Sequence, residues 1–141
     1  MRKLYTLKAG CILINQEKNK VALIYRKKHN DYEFPKGHLE NNENLKECAI
    51  RETAEEIKRD AKIIEEISPI ILNYRTNKGE ACKCYYYLST DLGNCDNKST
   101  DSHKLIWAEF DKVENILTHK SLKSIWNIAR KKIENLFYKN N

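Results

Sequence analysis

Apolar positions in this chain recur with two different spacings. Between Tyr5 and Ile14 they become almost continuous, through Leu7, Ala9, Cys11, Ile12, Leu13 and Ile14, and Val21 to Tyr25 forms a second unbroken run. Short apolar runs separated by a polar turn at 15–19 predict two strands, the second buried on both faces. From Asn44 to Lys58 the spacing becomes helical, with Leu45, Cys48, Ala49 and Ile57 on one side. Asn41 and Asn42 are placed to cap this helix, and Glu43 sets negative charge against the positive end of its dipole. Lys62 to Tyr74 reads as a strand interrupted near Pro69. The turn signal Asn77-Lys78-Gly79 then returns the chain as a hairpin partner from Cys82 to Ser89. A polar loop from Gly93 to Ser102, a short strand from Leu105 to Phe110 and a short helix around Val113, Ile116 and Leu117 follow. The closing segment, Ser121 to Tyr138, carries Leu122, Ile125, Trp126, Ala129, Ile133, Leu136 and Phe137 as a helical stripe. Strands, a helix, more strands and a last helix predict α+β layering, with helices packed on a mixed sheet.

Composition narrows the class. A chain of 141 residues suits one domain, spanning 1–141. It contains no apolar run of membrane-spanning length and its N-terminus lacks a signal-peptide core, so a soluble, cytoplasmic protein without a membrane partner is expected. Five cysteines, with no paired CxxC spacing and no histidine partners, are expected to be structural or surface thiols. The net charge is +6, from 26 basic and 20 acidic residues. A basic face for nucleic acid is one explanation. Scattered lysines on a solvated surface is the simpler one, because no dense basic run occurs and Lys27-Lys28-His29-Asn30 is a short polar loop. A positive field would in either case help a polyanionic substrate to arrive.

Candidate chemistry sits between Phe34 and Lys58. Glu52, Glu55 and Glu56 lie at i, i+3 and i+4, so their carboxylates gather along one edge of the helix. A pair of glutamates on a helix is most often a solvated face. Three oxygen donors so close are also what a hard cation such as Mg²⁺ needs. Lys36 and Gly37 precede the helix and would supply a cation for phosphate and room for close backbone approach.

The spacing Gly37, five residues, Glu43, seven residues, Arg51-Glu52, two residues, Glu55-Glu56 resembles the signature of the Nudix hydrolases. Six matched positions, each of a residue type used less than about one time in ten, do not arise together by chance. The resemblance covers nearly the whole chain and implies an α/β/α sandwich. It implies hydrolysis of a nucleoside diphosphate linked to X by water attack on phosphorus. Glu52, Glu55 and Glu56 would bind Mg²⁺ or Mn²⁺, with Glu56 the main ligand and the base role shared between Glu52 and Glu55. Gly37 would lend its carbonyl, and Arg51 and Glu43 would support the helix, Arg51 pairing with Glu47 or Glu43. The signature is broken at its end, where Lys58 and Arg59 replace the usual glycine and apolar residue, and at Thr53, usually apolar. A further acidic group in many relatives directs attention to Asp101, Glu109 and His103. The run AGCILI with FPKGHLE and Tyr74 is similar to the bis(5′-nucleosyl)-tetraphosphatase branch. That likeness implies phosphate contacts from Lys36 and His38 and base stacking on Tyr74 and Tyr32, with Tyr86 left to packing. The implied partner is a small nucleotide, diadenosine tetraphosphate first. Nucleoside triphosphates, ADP-ribose, diphosphoinositol polyphosphates and RNA 5′ ends are the other substrates, and a non-catalytic nucleotide- or RNA-binding module is the competing role.

Overall fold

In the computed structural model, which describes residues 4–138, the continuous apolar runs are strands covered on both faces. Along β1 (Thr6–Ile14), Ile12 and Ile14 enter one apolar cluster while Ala9, Cys11 and Leu13 enter another. β2 (Lys20–Arg26) divides the same way, Val21 and Leu23 against Ala22 and Ile24. Successive side chains leave a strand on opposite faces, so a central strand buried twice has no place for a polar residue.

β1 runs parallel to β7 (Ala81–Asn94), from Thr6 opposite Cys82 to Ile14 opposite Thr90. The other strand pairs are antiparallel. With β3 (Asp31–Glu33) and β5 (Arg59–Ile63) the order is β3-β2-β1-β7-β5. β4 (Lys36–His38) lies beside β1, β6 (Ile70–Arg75) beside β7, and β8 (Lys104–Glu109) beside β2. α1 (Leu45–Ile57) covers one face through Cys48, Ala49 and Ile57. α2 (Phe110–Ile116) and α3 (Lys120–Tyr138) cover the other, through Phe110, Val113, Leu122, Ile125, Trp126, Ala129 and Ile133. The result is a mixed sheet between helical layers, the α/β/α sandwich expected. Leu136, at the end of the α3 stripe, remains exposed. No helix among the described residues is long and apolar enough to cross a membrane.

Four local features differ from the sequence reading. The segment after α1 is two strands, not one interrupted strand. β5 pairs with residues 89–94 of β7 and β6 with 81–86, so both lie along the same long partner. β7 therefore continues to Asn94, through residues expected to begin a loop, and a register shift near Asp60 and Ala61 leaves Leu92 exposed. The extended entry around Phe34-Pro35 is flanked by two three-residue strands, β3 and β4. The helix cap is Asn44 rather than Asn41 or Asn42. Asn44 Oδ1 accepts from the Glu47 N–H at 2.8 Å, and Glu47 Oε1 accepts from the Asn44 N–H at 2.9 Å, which closes a capping box. All five cysteines are free thiols, four buried and Cys95 half-exposed.

Candidate active site

β4 packs between β1 and α1 through two glycines. A Cβ on Gly10 would come 2.1 Å from the Pro35 carbonyl, so β1 lets β4 lie close only because it carries hydrogen there. A Cβ on Gly37 would fall 2.0–2.3 Å from the carboxyl atoms of Glu52, so that carboxylate packs directly on the β4 backbone. The Gly37 carbonyl faces the Cys48 thiol at 3.6 Å, toward α1. Gly37→Ala should push the flexible end of Glu52 aside without opening the sheet. We expect kcat to fall by about 10- to 100-fold with the melting temperature nearly unchanged, read by steady-state kinetics beside thermal unfolding.

Arg51 ties the signature together. Its guanidinium donates to Glu43 at 2.9 and 2.7 Å, to Glu52 at 3.1 Å, to Glu55 at 3.2 Å and to the His38 carbonyl at 2.9 Å. Glu47, the other candidate partner, is occupied in the capping box. The double hydrogen bond from Arg51 holds the Glu43 carboxyl down at about 2, so this pair stays charged at any ordinary pH.

The positions that break the signature have local solutions. Thr53 is fully buried, and its hydroxyl donates to the Ala49 carbonyl at 2.8 Å, so the helix itself satisfies the polar atom. Lys58 closes α1 at φ +57°, the left-handed position where glycine is ordinarily easier. Its ammonium donates to the carbonyls of Glu55 at 3.1 Å and Ser99 at 2.5 Å, which anchors the loop after β7. Arg59 pairs with Asp91 on β7.

Glu56 is set apart from its two neighbours. One carboxylate oxygen accepts from the Lys36 N–H at 2.8 Å, the other lies 3.7 Å from His103 Nε2, and the His103 N–H donates to the Glu56 carbonyl at 2.8 Å. Burial is the main cause that pushes the Glu56 carboxyl up to about 8; Glu52 and Glu33 add to it, against the Lys36 hydrogen bond. Burial also raises Glu52 and lowers His103. Both shifts disfavour the charged forms of Glu56 and His103, so burial weakens this 3.7 Å contact as an ion pair.

These groups line one cleft with two halves. The first, about 620 Å³, is bounded by Glu40, Arg51, Glu52, Glu55 and Glu56 on α1 and its entry, and by Thr100 to His103 on the loop. The second, about 480 Å³, shares Lys36, Gly37, His38, Glu56 and His103 with it and adds Lys8, Arg26, Lys27, Lys28, His29 and Glu33. Lys36 and His38 thus sit at the junction, and Asp101 and His103 reach the glutamate half. Glu109, at the start of α2, does not line the cleft.

Neither tyrosine proposed for base stacking lines it. Tyr32 packs its ring on Tyr25 with centroids 4.9 Å apart, and its N–H donates to Thr118 Oγ1 at 2.9 Å. Tyr74 bounds a separate depression with Leu4, Tyr5 and Arg75, and the Lys8 ammonium lies 5.4 Å from its ring centre. Tyr86 is fully buried, edge-on to Phe34 at 5.7 Å. The sequence reading missed the basic wall. Its only signal was the Lys27-Lys28-His29 run just ahead of the signature.

A second group of metal-type donors, Asp31, Glu33 and His119, has ligand atoms within 4.8 Å of one another. Arg26 engages both carboxylates, at 2.7 and 3.2 Å, and Lys36 pairs with Glu33 at 3.2 Å. Arg26 holds Asp31 down to about 2. That group is charge-compensated by the chain itself. Glu52 and Glu56 differ from that group: burial outweighs the Arg51 contact at Glu52 and the Lys36 contacts at Glu56, so both carboxyls are raised. With Glu55 they supply oxygen donors of the kind a hard divalent cation takes, but among the described residues only Asp31, Glu33 and His119 bring three ligand atoms within 4.8 Å of one another.

Comparison with known proteins agrees with the architecture. The NUDIX domain family model matches residues 4–134. The Ap4A hydrolase of C. elegans, solved as a binary complex, superposes with a TM-score of 0.77 at 22% identity, over 92% of this chain and 98% of that one. A NUDIX-family hydrolase from Clostridium perfringens gives 0.71 at 21% identity, over 93% and 97%. The MutT protein of Bacillus halodurans gives 0.66 at 20%, over 86% and 80%. No match was found among curated proteins. With the family model running from β1 into α3, and the same sandwich in these solved structures, the chain belongs to the Nudix hydrolase family.

Proposed function

We propose that this chain is a divalent-cation-dependent pyrophosphohydrolase that cleaves a nucleoside diphosphate linked to X, with diadenosine tetraphosphate its preferred substrate. The observation that carries the proposal is the placement of Glu52, Glu55 and Glu56 together on the wall of one cleft, under the close-packed β4 strand. Glu52, Glu55, Glu56 and the Gly37 carbonyl would hold Mg²⁺ or Mn²⁺. When bound, the ion neutralises pyrophosphate charge and makes water a better nucleophile. The protein's own contribution is positional. Arg51 Nη1 donates to both Glu52 and Glu55, and these two carboxylates would take the proton of the attacking water. Lys36 and His38, at the junction of the two halves, are placed for phosphate.

The choice of diadenosine tetraphosphate rests on the PKGH element and on the likeness to a solved Ap4A hydrolase. Tyr74 and Tyr32 lie off the cleft wall, Tyr74 beside the Lys8 ammonium and Tyr32 against Tyr25. The binding energy for this substrate is accordingly assigned to its phosphates. Diadenosine tetraphosphate, ATP, ADP-ribose and an inositol pyrophosphate, assayed separately with Mg²⁺, test the assignment. We expect kcat/KM for the tetraphosphate to exceed the others by about tenfold or more. A preference for ATP or ADP-ribose would refute the substrate assignment. Tight binding of these compounds with no turnover would make the chain a binding module.

A further inference from the structure

The cleft does not end at the glutamates. Its second half is walled by cations, and they are of two kinds. Arg26 and Lys36 form the floor, where their charges are taken up by Asp31 and Glu33. Lys8, Lys27 and Lys28 form the rim, and among the described residues none of the three has a carboxylate within ion-pair distance. Lys8 stands on β1 directly across from His38. Lys27 and Lys28 stand on the turn between β2 and β3.

That turn is built to stay in place. The His29 N–H donates to the Arg26 carbonyl at 3.1 Å and the Asn30 N–H to the Lys27 carbonyl at 3.3 Å. Asn30 takes φ +50°, a conformation asparagine tolerates better than most residues, and its side chain accepts from the Tyr25 hydroxyl at 2.7 Å. Tyr25 itself packs against Tyr32, the two rings tilted by 42°. Two exposed lysines on a mobile loop would be ordinary surface charge. On an ordered turn beside a concave wall, less freedom is lost when an anion binds, and the cavity focuses their field.

We propose that Lys8, Lys27 and Lys28 form a subsite for the distal phosphates of a chain of three or more, leaving the glutamate half to the phosphate that is cleaved. A longer phosphate chain with its reacting group among the glutamates can run past the shared wall of Lys36, Gly37 and His38 and meet more of the rim than a two-phosphate compound does. The subsite thus selects substrates by phosphate number, with the organic group beyond them contributing less. This deepens the hydrolase reading and rests on it only for which end reacts.

The test uses binding, so that it does not depend on turnover. Inorganic pyrophosphate and inorganic tetraphosphate are titrated calorimetrically into the intact chain in a chelating buffer, which keeps cations out of the glutamate half. The tetraphosphate should bind more tightly. Lys27→Gln/Lys28→Gln should weaken it by about tenfold, and pyrophosphate, which can meet fewer of the three lysines at once, by a smaller factor. Lys131→Gln/Lys132→Gln removes the same net charge from exposed positions of α3 and should change neither. Equal effects of the two double variants, an unaffected tetraphosphate, or no binding of either probe would each overturn the subsite. A chain that prefers tetraphosphate in this assay but hydrolyses no nucleotide would keep the subsite and overturn the hydrolase reading.

Discussion

Glu56→Gln should lower kcat with Mg²⁺ by about a thousandfold or more while the sandwich remains folded. Gln keeps the shape of the side chain and removes the charge that a cation would need. Its amide can still meet the Lys36 N–H through the side-chain oxygen, so the β4–α1 junction keeps the contact that Glu56 now makes at 2.8 Å. Gly37→Ala differs in kind, since it displaces Glu52 and leaves every carboxylate present. The substitution at Glu56 should therefore be the more damaging of the two by at least about tenfold. Steady-state rates at saturating substrate, with circular dichroism as the check on folding, decide it. A variant that keeps activity within a few fold of the parent would remove Glu56 from the proposed metal site and leave the glutamate edge as a charged surface.

How far such a site can be read from the sequence depends on the distance over which each feature is determined. Ile12 and Leu13 are adjacent apolar residues, and a strand buried on both faces is their simplest explanation; the two apolar clusters show that arrangement. Glu52, Glu55 and Glu56 share a helical edge because 3.6-residue geometry is local. The cap was less legible. Three asparagines precede the helix, and only the reciprocal bond with Glu47 selects Asn44. Arg51 takes Glu43 as its partner through two hydrogen bonds across the loop, a choice that spacing alone left open. The rest is set by pairings between distant strands. β5 and β6 share β7 because that strand is long enough for both, which the polar residues at its far end conceal. Lys27 and Lys28 join the cleft through the β2–β3 turn, and Lys8 through its register with β4. Tyr32 and Tyr74 lie off the cleft lining for the same reason, since strand pairing fixes where each ring goes.

Glu56 also makes the stability of the cation-free protein depend on pH in an unusual direction. Its folded value of about 8 lies above the ordinary 4.5, so between those two values the native state binds the proton that the unfolded chain has released. The stability associated with that proton is fully present below pH 4.5 and is lost as pH rises through 8. With the side chain only 13% exposed, the loss is on the order of 4 kcal/mol. Glu52, raised by burial, acts in the same sense, while His103, lowered by burial, acts against it. Asp31 and Glu43, both held at about 2, exert their effect only in more acid solution. The comparison that isolates Glu56 is the parent against Glu56→Gln in a chelating buffer, by chemical denaturation from pH 5 to pH 9. Gln imitates the protonated acid, so the two proteins should match near pH 5 and the variant should become the more stable one as pH approaches 9. Mg²⁺ should close that gap by stabilising only the parent, because an ion bound to the native state favours the ionised carboxylate. A constant difference across the range, or a parent more stable than the variant at pH 9 without cations, would mean that Glu56 is already ionised in the empty cleft. The substitution expected to abolish turnover is thus also the one expected to strengthen the cation-free fold at alkaline pH, and both effects come from holding a buried acid where only a cation makes its charge favourable.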